Sequence, residues 1–131
     1  MRAIRSTFES SIGLAYDRVS GDEVAGHVDV CERILNSQHT VPLGVFAALA
    51  ESAAWEGTVS QVPSDTLAAL NLENNTMMTG MVYAGRISVL AQLVGQTSDC
   101  WTWVVKCHDD ADRLCATSTV LVAPRGRTQE L

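Results

Sequence analysis

The sequence predicts an α+β domain in which a curved antiparallel β-sheet wraps around one long central helix. Three observations carry that prediction. The stretch from Pro42 to Gly57, P-L-G-V-F-A-A-L-A-E-S-A-A-W-E-G, is rich in helix formers and apolar on every side. Four long stretches with strand-like alternation follow it, and a short hairpin pattern precedes it. A helix that is apolar all round needs packing on nearly every side, and a sheet curved around it supplies that packing.

In chain order, residues 2–11 suit a short helix with Ile4 and Phe8 on one side, ending before Gly13. Leu14 to Val19 and Glu23 to Val30 alternate, and S-G-D at 20–22 supplies the turn of a hairpin between them. The segment R-I-L-N-S-Q-H-T-V is polar in its centre, so a loop there places Asn36, Gln38 and His39 close to the start of the next helix. That helix opens with Pro42 at a natural first helical position, runs about four turns, and closes on Gly57 as a C-terminal cap. Beyond Gly57 it frays through T-V-S-Q-V and breaks at Pro63 and Ser64. T-L-A-A-L-N-L-E-N-N-T then alternates, with Leu67, Ala69, Asn71 and Glu73 on one face and Ala68, Leu70 and Leu72 on the other. A second strand is expected from Met81 to Val94 with a bulge or bend at Gly85. A third puts Trp101, Trp103 and Val105 on one face, where the indoles suit packing between strands or across an interface. After the acidic turn at 109–112, the last strand runs from Arg113 to Ala123 and stops at Pro124. Residues 1–124 therefore read as a single domain, and 125–131 as a polar C-terminal tail.

Composition narrows the function classes. At 131 residues, with 47% hydrophobic and 18% charged residues, the chain is globular and can bury a core of its own. It carries 15 Asp and Glu against 9 Lys and Arg, which argues against nucleic acid as a partner, because a phosphate backbone asks for a basic face. Cys31, Cys100, Cys107 and Cys115 form no C-x-x-C pair and no zinc spacing with histidine, so no metal or other cofactor is expected. Free thiols in strands behave as small apolar side chains, which points to the cytoplasm. No stretch approaches the roughly 20 apolar residues needed to span a membrane, and the first residues lack the apolar run of a signal peptide.

The central helix also carries the chemistry. Between Leu43 and Trp55 its only charged side chain is Glu51, with Ala47, Ala48, Ala54 and Trp55 around it at helical spacing. An ionised carboxylate inside an apolar helix is costly unless it reaches a cleft or a partner. The plainer reading is a narrow solvent-facing stripe, but such a stripe usually collects several polar residues.

The order of elements, with the spacing of Asn36, Gly44 and Glu51, resembles the hotdog-fold acyl-CoA thioesterases. More narrowly it resembles the PaaI and hydroxybenzoyl-CoA or dihydroxynaphthoyl-CoA thioesterase branch. The family pattern is an amide residue, then H-G-G six residues later, then an acid on the central helix seven residues after the last glycine. Here the amide is Asn36, the H-G-G position reads Pro42-Leu43-Gly44, and the acid is Glu51 within A-E-S-A-A. L-N-L-E-N-N-T-M-M and R-L-C-A-T-S-T-V-L-V are similar to the family's strand after the helix and to its last strand.

That resemblance implies hydrolysis of an acyl-CoA or related acyl thioester by a homodimer or homotetramer. Glu51 would act as general base or nucleophile, the N–H groups of Leu43 and Gly44 would hold the oxyanion, and Asn36 would orient the thioester or the water. Trp55 stands where relatives often carry a small hydroxyl residue that holds substrate or water. Asn71 and Asn75 lie near where the family brings residues from a neighbouring subunit to the pocket. His39, three residues before Pro42, is a stand-in for the motif histidine, although loop histidines are commonly just solvated. Arg125 and Arg127 are candidates for meeting CoA phosphates. The alternative function is a non-catalytic hotdog module that binds acyl-CoA or another apolar ligand. A hotdog hydratase ranks last, because no D-x-x-x-x-H pair is present.

Overall fold

The structure is a computed structural model that describes residues 8–62 and 67–126. Ile4, Pro63, Ser64 and Arg127, on which sequence expectations fall, lie outside those residues, as does the side chain of Arg125. The elements run α1 (Phe8–Ile12), β1 (Ala15–Ser20), β2 (Glu23–Asp29), a 3-10 turn (Glu32–Ile34), α2 (Leu43–Ser60), β3 (Leu67–Met78), β4 (Arg86–Gln96), β5 (Trp101–His108) and β6 (Leu114–Gly126). The strands form one six-stranded sheet in the order β1-β2-β4-β5-β6-β3, antiparallel at every pairing. The sheet curves around α2, which packs against each of its strands.

The core lies between the helix and the inner face of the sheet. Phe46, Leu49, Ala50, Ala53 and Ala54 of α2 meet Val24, Val28, Ile87, Val89, Trp103, Val105, Val120 and Val122. Trp101, Trp103, Val105 and Cys107 are buried in strict alternation along β5, as the sequence predicts for the first three. The Trp103 indole N–H donates to Thr58 Oγ1 at 3.0 Å, and Thr58 Oγ1 donates to Ala54 O at 2.9 Å, so the buried polar atoms of this contact are satisfied.

Gly57 is not the C-terminal cap. It lies inside the helix, pressed against the Trp103 ring so closely that a Cβ would overlap the indole. The helix continues to Ser60 and is closed by Gln61, whose N–H reaches the carbonyls of Thr58 and Val59. Nor is α2 buried all round. Leu43, Gly44 and Glu51 are exposed, and Ala47, Ala48, Ser52 and Trp55 are half-buried. One sheet covers one side of a helix, and the residues on the far side are left open.

Three strand boundaries differ from expectation. In β3 the register against β6 shifts between Asn71 and Glu73, so Leu72 is an extra residue and the alternation changes phase. Ala69, Asn71, Asn74 and Thr76 are half-buried while Leu72 and Glu73 are both exposed, and Glu73 leaves the face predicted for it. The expected strand from Met81 begins only at Arg86. β3 and β4 are not neighbours in the sheet, so the chain between them must cross from its edge to its middle. Gly85 makes that turn with φ +90, and the crossing is tied down by Val41 N–H to Val82 O (2.9 Å) and Val30 N–H to Gly85 O (2.8 Å). Finally, β6 runs through Pro124 to Gly126. Pro124 pairs with Ala69 beyond Val122, the last partner of β5, where a residue without an N–H is tolerated because one flank is open.

Candidate active site

Glu51 stands on the open side of α2 at the mouth of a recess of about 270 Å³, lined by Phe8, Glu9, Glu51, Ser52, Trp55 and Asn71. Helical spacing places Glu51 and Trp55 one turn apart, and β3 passes alongside to deliver Asn71. Two side-chain bonds fix that strand to the helix. Trp55 Nε1 donates to Ala69 O at 3.2 Å, and Asn74 Nδ2 donates to Ala47 O at 2.9 Å. Asn74 Oδ1 in turn accepts from Thr76 Oγ1 at 2.6 Å, and Thr76 lies 2.7 Å from Ser118 Oγ. Between these two anchors Asn71 is half-buried, and its Oδ1 is fully buried with no hydrogen-bond partner among the described residues.

The start of α2 presents a second set of groups. Pro42 is the N-cap, in an extended conformation with no side chain to cap the helix, so the N–H groups of Leu43 and Gly44 have neither a capping oxygen nor a preceding helical turn to bond. Gly44 is exposed, and a Cβ there would meet nothing within 4 Å. Gly44 and Glu51 are nearly two turns apart, on the same face and separated by about 10 Å of helix rise, with Ala47 and Ala48 between them. The strip joining the uncapped N–H groups to the carboxylate is therefore floored by small side chains. Leu43, 47% exposed, flanks its beginning.

The loop before α2 is organised by Asn36. Its Oδ1 accepts from Gln38 N–H (2.9 Å), Thr40 N–H (3.1 Å) and Thr40 Oγ1 (3.2 Å), while its backbone N–H bonds to Thr40 O. The Asn36 oxygen is thus committed within its own loop, which leaves Nδ2 as the side-chain donor. His39 is exposed with φ 63 and bonds through its backbone N–H to Asn36 O.

Of the residues singled out in the sequence, Glu51, Trp55 and Asn71 meet at the recess. Leu43 and Gly44 share the helix face but do not line it, and Asn36 and His39 sit in the loop ahead of the helix. Asn75 is exposed and, next to inward Asn74, falls on the other face of β3. Three wall residues escape sequence reading: Phe8 and Glu9 from α1, and Ser52. Their nearest signal is Tyr16 on β1, whose hydroxyl lies 2.9 Å from Glu9 Oε2 and 3.0 Å from Ser52 O and so fastens α1 to α2.

No family model matches the chain. The candidate esterase Rv1847 of Mycobacterium tuberculosis is 25% identical over 115 residues, spanning 86% of this chain and 82% of that protein. Its solved structure matches with a TM-score of 0.87 at 24% identity, covering 93% of this chain and 98% of that one. The Staphylococcus aureus protein SAV0944 matches with a TM-score of 0.89 at 18% identity, covering 92% of this chain and 99% of that one. The chain has the hotdog fold. Among solved hotdog structures, thioesterase HI1161 of Haemophilus influenzae matches with a TM-score of 0.86 at 16% identity, over 93% of this chain and 85% of that one. SAV0944, named a thioesterase, is known as alanine variants at a glutamate and at a glutamine whose separation along that chain equals the separation of Asn36 and Glu51 in this hotdog.

Proposed function

We propose that this hotdog protein hydrolyses an acyl-CoA or related acyl thioester, with Glu51 as the reacting carboxylate. The observation that carries the proposal is the placement of Glu51. Its side chain is exposed on the open face of α2, among Ala47, Ala48 and Trp55, and it lines a recess walled by Trp55 and Phe8. The matching separation of the amide and acid residues varied in SAV0944 supports the assignment of Asn36 and Glu51.

In this reading the acyl group enters the recess and its carbonyl lies along the Gly44-to-Glu51 strip. Glu51 either removes a proton from water as it attacks the carbonyl carbon or attacks directly to form an anhydride that water opens. Negative charge on the carbonyl oxygen is held by the N–H groups of Leu43 and Gly44, with the positive end of the helix dipole behind them. Collapse breaks the C–S bond, and the products are a carboxylate and a free thiol. Asn36 Nδ2 orients the thioester or the water, Trp55 and Asn71 hold the acyl group, and Asn75 and His39 serve only where a second subunit brings its surface against them. Assembly as a homodimer or homotetramer fits the open side of α2. The four free cysteines fit a reducing cytoplasm, and among the described residues no helix is long and apolar enough to cross a membrane.

A purely ligand-binding module would gain if Trp55 or Leu43 filled the space before Glu51. Trp55 is instead drawn against β3 by its bond to Ala69 O, and Leu43 does not line the recess. The test is thiol release from a panel of aryl-, short-chain and long-chain acyl-CoAs. Turnover above the spontaneous rate on at least one member is expected, and background release throughout, together with tight binding of the same thioesters, would replace the hydrolase with the binding module.

A further inference from the structure

Glu51 sits midway between two side-chain bonds that tie α2 to β3. Trp55, one turn after it, donates from Nε1 to Ala69 O at 3.2 Å, and Ala47, one turn before it, accepts from Asn74 Nδ2 at 2.9 Å. The Ala47 carbonyl is also the acceptor for the backbone N–H of Glu51, because helical bonds run from each residue to the fourth before it. A helix carbonyl on an open face ordinarily tilts out to water, and here a strand side chain takes it instead. The orientation of that amide is itself fixed. Thr76 Oγ1 gives its one proton to Asn74 Oδ1 at 2.6 Å, so Ser118, opposite Thr76 in the pairing of β3 with β6, is the donor in the 2.7 Å contact between their hydroxyls. Turning the amide over would set Oδ1 against the Ala47 carbonyl, acceptor against acceptor, and leave the Thr76 proton facing a donor.

We infer that Asn74 is a positioning residue: it clamps the turn of α2 that leads into Glu51 onto β3, in an orientation that the hydroxyls of Thr76 and Ser118 hold. This rests on the reading of Glu51 as the reacting carboxylate. β3 depends on such a tie because it is an edge strand, paired within the chain only with β6, and it is the strand that brings Asn71 to the recess. The spacing between the carboxylate and that strand is therefore set by two hydrogen bonds, one on each side of Glu51. Reaction of a bound substrate is sensitive to such spacing, and a misplacement of about 1 Å costs about 10²-fold in rate. Loss of the clamp lets the turn shift and lowers kcat, although Asn74 itself does not line the recess.

The experiment compares wild type with Asn74→Ala, Thr76→Val, Thr76→Ser and Thr79→Val. It measures kcat and KM on an acyl-CoA that wild type cleaves, and amide hydrogen exchange by NMR on the same proteins. Asn74→Ala lowers kcat by about tenfold or more and changes KM by less than about threefold. Thr76→Val, which removes the donor to Asn74 Oδ1, lowers kcat in part, and Thr76→Ser, which keeps the hydroxyl, restores it. Because the two side chains act in one chain of bonds, Asn74→Ala combined with Thr76→Val is no slower than Asn74→Ala alone. Thr79→Val deletes a different side-chain bond of the same length, 2.9 Å to Leu114 O, and leaves kcat unchanged whatever it does to stability. In the exchange, Asn74→Ala speeds the Glu51 N–H by about three- to tenfold relative to those of Phe46 and Ala53 on the buried side of α2, whereas general destabilisation speeds all three alike. A kcat for Asn74→Ala within about threefold of wild type, in a protein whose turnover needs Glu51, overturns this inference and leaves the hydrolase reading standing. If wild type releases no thiol, the hydrolase reading fails and the exchange decides on the clamp: a Glu51 N–H that keeps pace with Phe46 and Ala53 overturns it, and one that outpaces them sustains it.

Discussion

At the start of α2 two backbone N–H groups are left without partners because Pro42 cannot cap them. Leu43 is the first helical residue and Pro42 before it is extended, so proline fits at position 43 without disturbing the helix. Leu43→Pro then deletes one N–H and nothing else of the backbone. If that N–H holds the oxyanion, kcat falls by about 10²–10³-fold, whereas Leu43→Ala, which keeps the N–H, changes it by less than about threefold. Equal losses in the two variants would assign the effect to the side chain. The spacing of Asn36, Gly44 and Glu51 was legible in the sequence because two of the three lie on one regular helix. Glu9 was not, because only the docking of α1 through Tyr16 brings it to the recess. Glu73 was expected on the face of Asn71 and leaves it because a one-residue bulge changes the phase of β3, and nothing in L-N-L-E-N-N-T marks where it falls.

Between the elements, α2 comes into close contact with β5 where Gly57 meets the Trp103 ring. A methyl group at position 57 must push the helix off the indole and strain the Trp103 to Thr58 hydrogen bond. Gly57→Ala, which by helix propensity alone would stabilise the helix, is therefore expected to destabilise the protein by about 1–3 kcal/mol, read from the midpoint of urea unfolding. A neutral or stabilising result would mean that α2 can slide without loss. Local rules read this glycine in the sequence as a C-terminal cap. Only the partner across the core, 46 positions away in the chain, decides otherwise. For the same reason the helix and the strands were legible as elements, while the end of α2, the start of β4 and the run of β6 through Pro124 depended on neighbours that are distant in sequence.

Across the whole molecule, β3 is an edge strand of 12 residues with Leu70, Leu72, Met77 and Met78 exposed along it, beside the open face of α2. A long apolar edge is a ready template for pairing with another chain. Sedimentation velocity at micromolar concentration is expected to show a dimer or tetramer, and the double change Leu72→Lys and Met77→Lys is expected to move the population toward monomer. A wild-type monomer under those conditions would leave the open side of α2 without a second subunit. The wrapped-helix architecture was legible because hydrophobic period alone separates a helix from strands. The strand order β1-β2-β4-β5-β6-β3, which puts β3 at the edge, was not, because it is set by pairings between distant segments.

The reacting carboxylate can be tested directly by comparing Glu51→Gln with wild type on whichever thioester the wild type cleaves, with circular dichroism to confirm an intact fold. Glu51 is exposed on the helix surface, so the amide should fold normally. If Glu51 performs the chemistry, thiol release falls by at least ~100-fold in kcat. Release within about threefold of wild type by a folded Glu51→Gln protein would contradict the assignment and return the site to a binding role.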